Sequence, residues 1–253
     1  MPNASLPPAV AQAIADLVPS VAWQKICAAL EDDPELPLAP IDAALARWDA
    51  FPQLREPTEA QWRRIHWDGW RPPWWPLVRH VSLGSDESLD GIPAAHLRSL
   101  WIKASAGWDP DILQAVPQLV HLDLTGHELD CRTIPSLPSL EELILTRGVP
   151  IHPEALAKLS TLASLSLGWT DLGPRDVPYL PKLAQLDLSG ADIDTLAPLT
   201  ALPSLRMLRL GQCTGSADTS VLLQCLALRS VYVAEATLDT RALEGQTLFE
   251  VVR

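Results

Sequence analysis

The sequence predicts a stacked repeat solenoid preceded by a helical segment. Three observations carry that prediction. A motif, L-x-x-L-x-L, recurs at Leu97, Leu119, Leu140, Leu162, Leu183, Leu205 and Leu228, in steps of 21 to 23 residues. A further leucine stands three residues upstream in several copies (Leu137, Leu159, Leu180, Leu202). The first 76 residues carry no copy and hold seven of the ten tryptophans. A period held in register over so long a stretch is the signature of a repeat architecture.

Each repeat justifies its strand. The last two leucines of the motif lie two apart, which puts them on one side of a β-strand while the residues between them point away. One repeat cannot bury its own leucines, so stacking must supply the burial. Each leucine so buried contributes about 1.5–3 kcal/mol. VRHVSL at Val78 reads as an earlier copy and LFEVVR at Leu248 as a truncated last one, giving about nine in all.

The stretch IDTLAPLTALPSLRMLRL, Ile193 to Leu210, resembles an internalin-type repeat. Residues 78–253 as a whole resemble the leucine-rich repeat family in its short bacterial form, with 21–23-residue repeats. The resemblance implies an α/β fold class: a leucine-rich-repeat solenoid with a curved parallel sheet, one strand per repeat and short helical or 3₁₀ returns. Family members are mostly protein-binding scaffolds, so it also implies a binding role. One departure stands out. The asparagine that usually follows the strand is replaced by Ser105, His127, Gly148, Thr170, Ala191, Cys213 and Ala236. Turns less regular than those of an internalin are therefore expected. Cys213 and Cys225 are expected in packing positions.

Residues 1–76 read as a helical, tryptophan-rich N-terminal cap, and 77–253 as the solenoid of about eight to nine repeats. Val10, Ile14 and Leu17 share one face of a first helix. Ser20 is a candidate cap for a second helix carrying Trp23, Ile26, Cys27 and Leu30. Ile41, Ala44, Leu45 and Trp48 follow helical spacing in a third. Thr58 and Gln61 form a capping box that opens a fourth. A solenoid exposes the apolar end of its first repeat, which a cap must cover. The run HWDGWRPPWWPL, His66 to Leu77, suits packing under that cap, or alternatively an aromatic contact surface, with Arg71 placed to stack on Trp70.

Composition narrows the function. The net charge of −12 and pI near 4.8 argue against nucleic acid and anionic membranes as partners, since both are polyanions. The opening residues lack a basic n-region, and no apolar run reaches the ~18 residues needed to span a bilayer. Cys27, Cys131, Cys213 and Cys225 show no C-x-x-C spacing, so reduced thiols in a cytoplasmic protein are expected, with no metal and no cofactor. No P-loop, G-x-S-x-G or G-x-G-x-x-G string occurs in context.

The outward positions of the strands carry the candidate site. Trp101, His121, Asp123, Glu142, Ile144, Asp187, Met207, Arg209 and Tyr232 fall there, with Trp169 just after a strand. They mix aromatic, apolar and both charge signs, which suits a protein interface on the concave face. Asp123 and Glu142 fall on neighbouring strands, about 4.8 Å apart, and paired carboxylates can serve as acid and base. No enclosed pocket is evident around them, so the chain is not expected to be an enzyme. The reading is a non-catalytic module that binds a partner protein, one with basic character if charge steers it, as an inhibitor of immunity type. The alternatives are a host-targeting effector or scaffold and, last, an enzyme using the concave carboxylates. Self-association through the C-terminal strand edge is a further reading.

Overall fold

The computed structural model describes residues 6, 8–15, 19–48, 52–84, 94–103 and 109–252. The expectations placed on Leu17, on the Ile14 side chain and on the turn at Ser105 lie outside the described residues. The chain divides into two compact units, Met1–Trp101 and Ile102–Arg253.

The first unit begins with helices α1 (Pro8–Ala15), α2 (Pro19–Asp32), α3 (Leu38–Leu45) and α4 (Glu59–Trp67). The apolar spacing that predicts them faces inward: Val10, Trp23, Ile26, Cys27, Leu30, Ile41 and Leu45 are buried. α2 already contains Ser20 in its first turn, so that serine does not cap it; Pro19 opens the helix, where its missing N–H costs nothing. α4 opens on the expected capping box, Gln61 N donating to Thr58 Oγ1 (3.3 Å) and Thr58 N to Gln61 Oε1 (2.9 Å). Strand β1 (His80–Leu83) follows, and β2 (Ser99–Ile102) carries the chain into the second unit.

Aromatic packing and one carboxylate organise this unit. Trp74 is fully buried and meets Trp23, Trp70 and Trp75 edge-on at 5.9, 5.8 and 6.2 Å. Its indole N–H donates to Glu31 Oε1 at 2.8 Å, as a buried Trp requires. Left-handed Gly69 (φ 65°) folds the chain back after α4, so that Trp70 N donates to Arg64 O. The guanidinium over the Trp70 ring is consequently that of Arg64, 3.9 Å from its centroid, rather than that of Arg71, which donates to the Ile65 and Trp70 carbonyls. Asp42 receives Arg55 at 2.7 Å and Arg79 at 2.8 Å on both its oxygens. Both guanidiniums are buried, and such charges persist only when paired.

The second unit is the repeat solenoid. In chain order its strands are β3 (His121–Asp123), β4 (Glu128–Asp130), β5 (Glu142–Ile144), β6 (Val149–Ile151), β7 (Ser164–Ser166), β8 (Gln185–Asp187), β9 (Asp192–Ile193), β10 (Met207–Arg209), β11 (Thr214–Gly215), β12 (Ser230–Tyr232) and β13 (Glu250–Val252). The main sheet is parallel, in the order β3-β5-β7-β8-β10-β12-β13. Its register puts Leu122, Leu143, Leu165, Leu186, Leu208, Val231 and Val251 in one row. Leu124, Leu145, Leu167, Leu188, Leu210 and Val233 form a second buried row. The returns are short 3₁₀ helices that bury Leu113, Leu156, Leu199 and Leu222. Two small parallel pairs, β4–β6 and β9–β11, follow the turns. Cys213 and Cys225 are buried in packing positions.

The turns after the strands are regular, against expectation. His127, Gly148, Thr170, Ala191, Cys213 and Ala236 each donate their N–H to the carbonyl three residues back. The residue before each is left-handed: Gly126, Arg147, Trp169, Gly190, Gln212 and Glu235, with φ from 56° to 80°. Five of these, all but Glu235, donate their own N–H to a carbonyl of the next repeat, at 2.7–2.9 Å. Side chains add to these backbone bonds at some of the asparagine positions: Thr170 Oγ1 donates to Leu167 O at 2.7 Å and Cys213 Sγ to Leu188 O at 3.1 Å. At Gly148 no side chain fits at all, since a Cβ would lie 2.5 Å from His127 O.

Candidate functional site

Strand alternation turns two rows of side chains away from the leucine rungs of the second unit. One row runs His121, Glu142, Ser164, Gln185, Met207, Ser230; the other runs Asp123, Ile144, Ser166, Asp187, Arg209, Tyr232. The register therefore sets Glu142 beside His121, and Asp123 beside Ile144, so the two carboxylates are not direct neighbours. Ile144, Met207 and Tyr232 are half-buried against their row neighbours, less exposed than open strand positions suggest.

The polar groups on this face are tied down in different ways. His121 Nδ1 lies 2.9 Å from Glu142 Oε2. That hydrogen bond holds the Glu142 carboxyl below its ordinary range, against the opposing effect of partial burial. Asp123 accepts from Thr125 N at 2.8 Å and from its hydroxyl at 2.6 Å. Asp187 accepts from Ser189 N at 2.9 Å, and Ser166 Oγ approaches its other oxygen at 3.5 Å. Both aspartates thus close the turn after their own strand, a structural use of the carboxylate. Arg209 stands in register with Asp187, yet its guanidinium lies 5.8 Å from the Tyr232 ring centroid, and no ion pair to Asp187 occurs among the described residues.

The shape of the face follows from side-chain size. β7 presents only Ser164 and Ser166, so a shallow depression of about 250 Å³ opens above it. Glu142 and Ile144 border it on one side, and Gln185, Asp187, Met207 and Arg209 on the other. The sequence places both serines outward without marking them as contact residues; two small outward residues on one strand between larger neighbours are the signal that locates the hollow.

Trp169 occupies the left-handed turn after β7 and is 48% exposed. Its ring lies across Gly190, where a Cβ would come within 2.6 Å of the indole. Gly190 is a residue the sequence does not single out, and it is what lets the tryptophan lie flat. Trp101 is 40% exposed on β2 and belongs to the first unit; the hollow is built from the second unit alone.

Nothing on this face is arranged for metal chemistry: among the described residues no group of three or more His, Cys, Asp or Glu side chains is placed to hold an ion. The cysteines are free and buried; burial pushes the Cys131 thiol up to about 11 and raises those of Cys27, Cys213 and Cys225 as well. No helix among the described residues is long and apolar enough to cross a membrane.

No family model matches the chain, and no curated protein matches it. Solved structures do. Internalin C2 of Listeria monocytogenes matches with a TM-score of 0.54 at 22% identity, over 71% of this chain and 81% of that one. A leucine-rich-repeat protein of Leptospira interrogans matches with a TM-score of 0.56 at 17% identity, over 83% of this chain and 57% of that one. A chain of the Drosophila Toll–Spatzle complex matches at 0.53 and 15% identity, over 69% of this chain and 26% of that one. The likeness is one of fold. The chain has the fold of the leucine-rich-repeat proteins, with a parallel sheet of one strand per repeat, 3₁₀ returns and helices at its N-terminal end.

Proposed function

We propose that this protein is a non-catalytic binding module whose second unit grips a partner protein on the outward face of its sheet. One observation carries the reading. The inward residues repeat from strand to strand, whereas the outward rows do not: His121–Glu142, Ile144, the serine floor, Asp187, Met207 and Arg209–Tyr232 form one unrepeated surface. Repetition serves stacking, and a face free of repetition on a rigid scaffold suits recognition of one specific surface. The Drosophila neighbour is part of a complex between two proteins, which agrees with such a role. The use of Asp123 and Asp187 in turns speaks against a pair of catalytic carboxylates there.

The acidic balance favours a basic partner, steered by charge, and an inhibitor of immunity type fits that best. A host-targeting effector or scaffold is the second form of the same reading. In this reading the protein acts in the cytoplasm. The test is affinity capture from native lysate with wild type and with Met207→Glu plus Tyr232→Ala. A stoichiometric protein held by wild type and lost by the variant, at unchanged thermal unfolding, is expected. Equal retention by the variant removes the sheet face from the proposal.

A further inference from the structure

We infer that the hollow over β7 receives one cationic side chain, arginine or lysine, from the partner protein; this deepens the reading above and rests on it. The hollow has the chemistry of such a side chain laid out along it. Ile144 and Met207 offer apolar surface for an aliphatic stem, and long cationic side chains bury their stems on such surface while the head seeks charge. Glu142 and Asp187 border the same space with carboxylates. Ser164 and Ser166 leave the floor low enough for a side chain to lie between them; Ser166 Oγ is already engaged by Thr146 Oγ1 at 2.9 Å, so the head group is left to the carboxylates.

The cation already present does not fill this role. Arg209 is the registered neighbour of Asp187, where an ion pair would ordinarily form across parallel strands. It turns instead to the ring of Tyr232. Asp187 keeps one oxygen on Ser189 N, while among the described residues the other has only the long 3.5 Å contact from Ser166. Glu142 has one oxygen engaged by His121, and the Ser164 hydroxyl also serves the carboxylate; both keep it charged. The hollow therefore has two carboxylates, each with capacity for another donor, in a chain of net charge −12. A guanidinium or ammonium is the complement.

The sequence offers a clean reporter. The chain has two methionines, Met1 and Met207, so ¹³C-methyl labelling of methionine gives one resonance at the hollow and one at the N-terminus. The probes are the blocked tripeptides acetyl-Gly-Arg-Gly-amide and acetyl-Gly-Lys-Gly-amide, with the citrulline peptide as the neutral isostere of the first. The cationic peptides are expected to shift the Met207 resonance saturably and the citrulline peptide to leave it in place. Asp187→Asn should weaken the cationic peptides about tenfold, the loss of one charge-assisted contact. Ser166→Leu should abolish the shift by filling the floor without changing charge. Shifts of equal size from the citrulline peptide, unchanged affinity in Asp187→Asn, or no Met207 shift with either cationic peptide would each overturn the inference. None of these touches the broader reading: a partner captured by wild type and lost by the Met207 and Tyr232 double variant would stand even if the hollow takes no cation.

Discussion

The two units solve the same problem of burial by opposite means. The first relies on single, unrepeated interactions: three indoles meeting around Trp74, and one carboxylate, Asp42, serving two buried guanidiniums. The second relies on one interaction repeated, leucine above leucine, with a hydrogen-bonded turn between. In the first, a residue's importance is set by its unique neighbours. In the second, the inward residues are interchangeable in role, which leaves the outward ones free to differ.

The two kinds of packing are most sensitive at their centres. Trp74→Ala should destabilise by about 3–5 kcal/mol, because it empties the middle of the indole cluster. Leu186→Ala should cost about 2–5 kcal/mol. Denaturant unfolding followed at tryptophan and by far-ultraviolet circular dichroism checks both. If the repeats share their load, Leu208→Ala should fall in the same range as Leu186→Ala; a large disparity would show that the rungs are not equivalent.

Smaller effects sharpen the distinction between inward and outward roles. Gly190→Ala places a Cβ against the Trp169 ring and forces a left-handed alanine, costing about 1–2 kcal/mol. It should also change the Trp169 environment, seen as the difference in fluorescence spectrum relative to Trp169→Phe. Arg147→Gly runs the other way. It removes a left-handed non-glycine residue from an exposed position and should leave stability unchanged or raise it by up to about 1 kcal/mol. A clear loss there would mean that the Arg147 side chain holds the turn.

The smallest effect concerns acid. The folded-state pKa of Glu142 is depressed, so its contribution is complete above the ordinary glutamate range, near about 4.3, and is lost only as the pH falls through the lower folded value. Carboxyl ¹³C titration should show Glu142 ionising below that range, and His121→Ala should return it upward. An unshifted Glu142 in the wild type would contradict the hydrogen bond.

Much of the second unit was legible because its signal is periodic. A two-residue alternation inside a 21–23-residue period names the inward leucines without reference to anything else. The helices of the first unit were legible at their capping box and apolar faces. What escaped were interactions between residues far apart with no period to link them. Asp42 reaches Arg55 and Arg79, thirteen and thirty-seven positions away. The pairing of Arg64 with Trp70 depends on the reversal at Gly69, which the sequence does not distinguish from any other glycine. The turns escaped for another reason: four of the six left-handed sites hold Arg147, Trp169, Gln212 and Glu235, residues that do not advertise the conformation. On the outward face the residues were found individually, but the hollow needed the register to bring serines and carboxylates together.

The turn bonds carry an evolutionary corollary. Each of the five donors described lends its N–H to its successor and asks nothing of the turn beyond that, so the wiring is local. Duplication or loss of one whole copy within that stretch would leave every remaining bond intact and would widen or narrow the outward face by one strand spacing, about 4.8 Å. Natural selection can therefore set the breadth of this face by counting modules, and vary its chemistry afterwards by single outward substitutions.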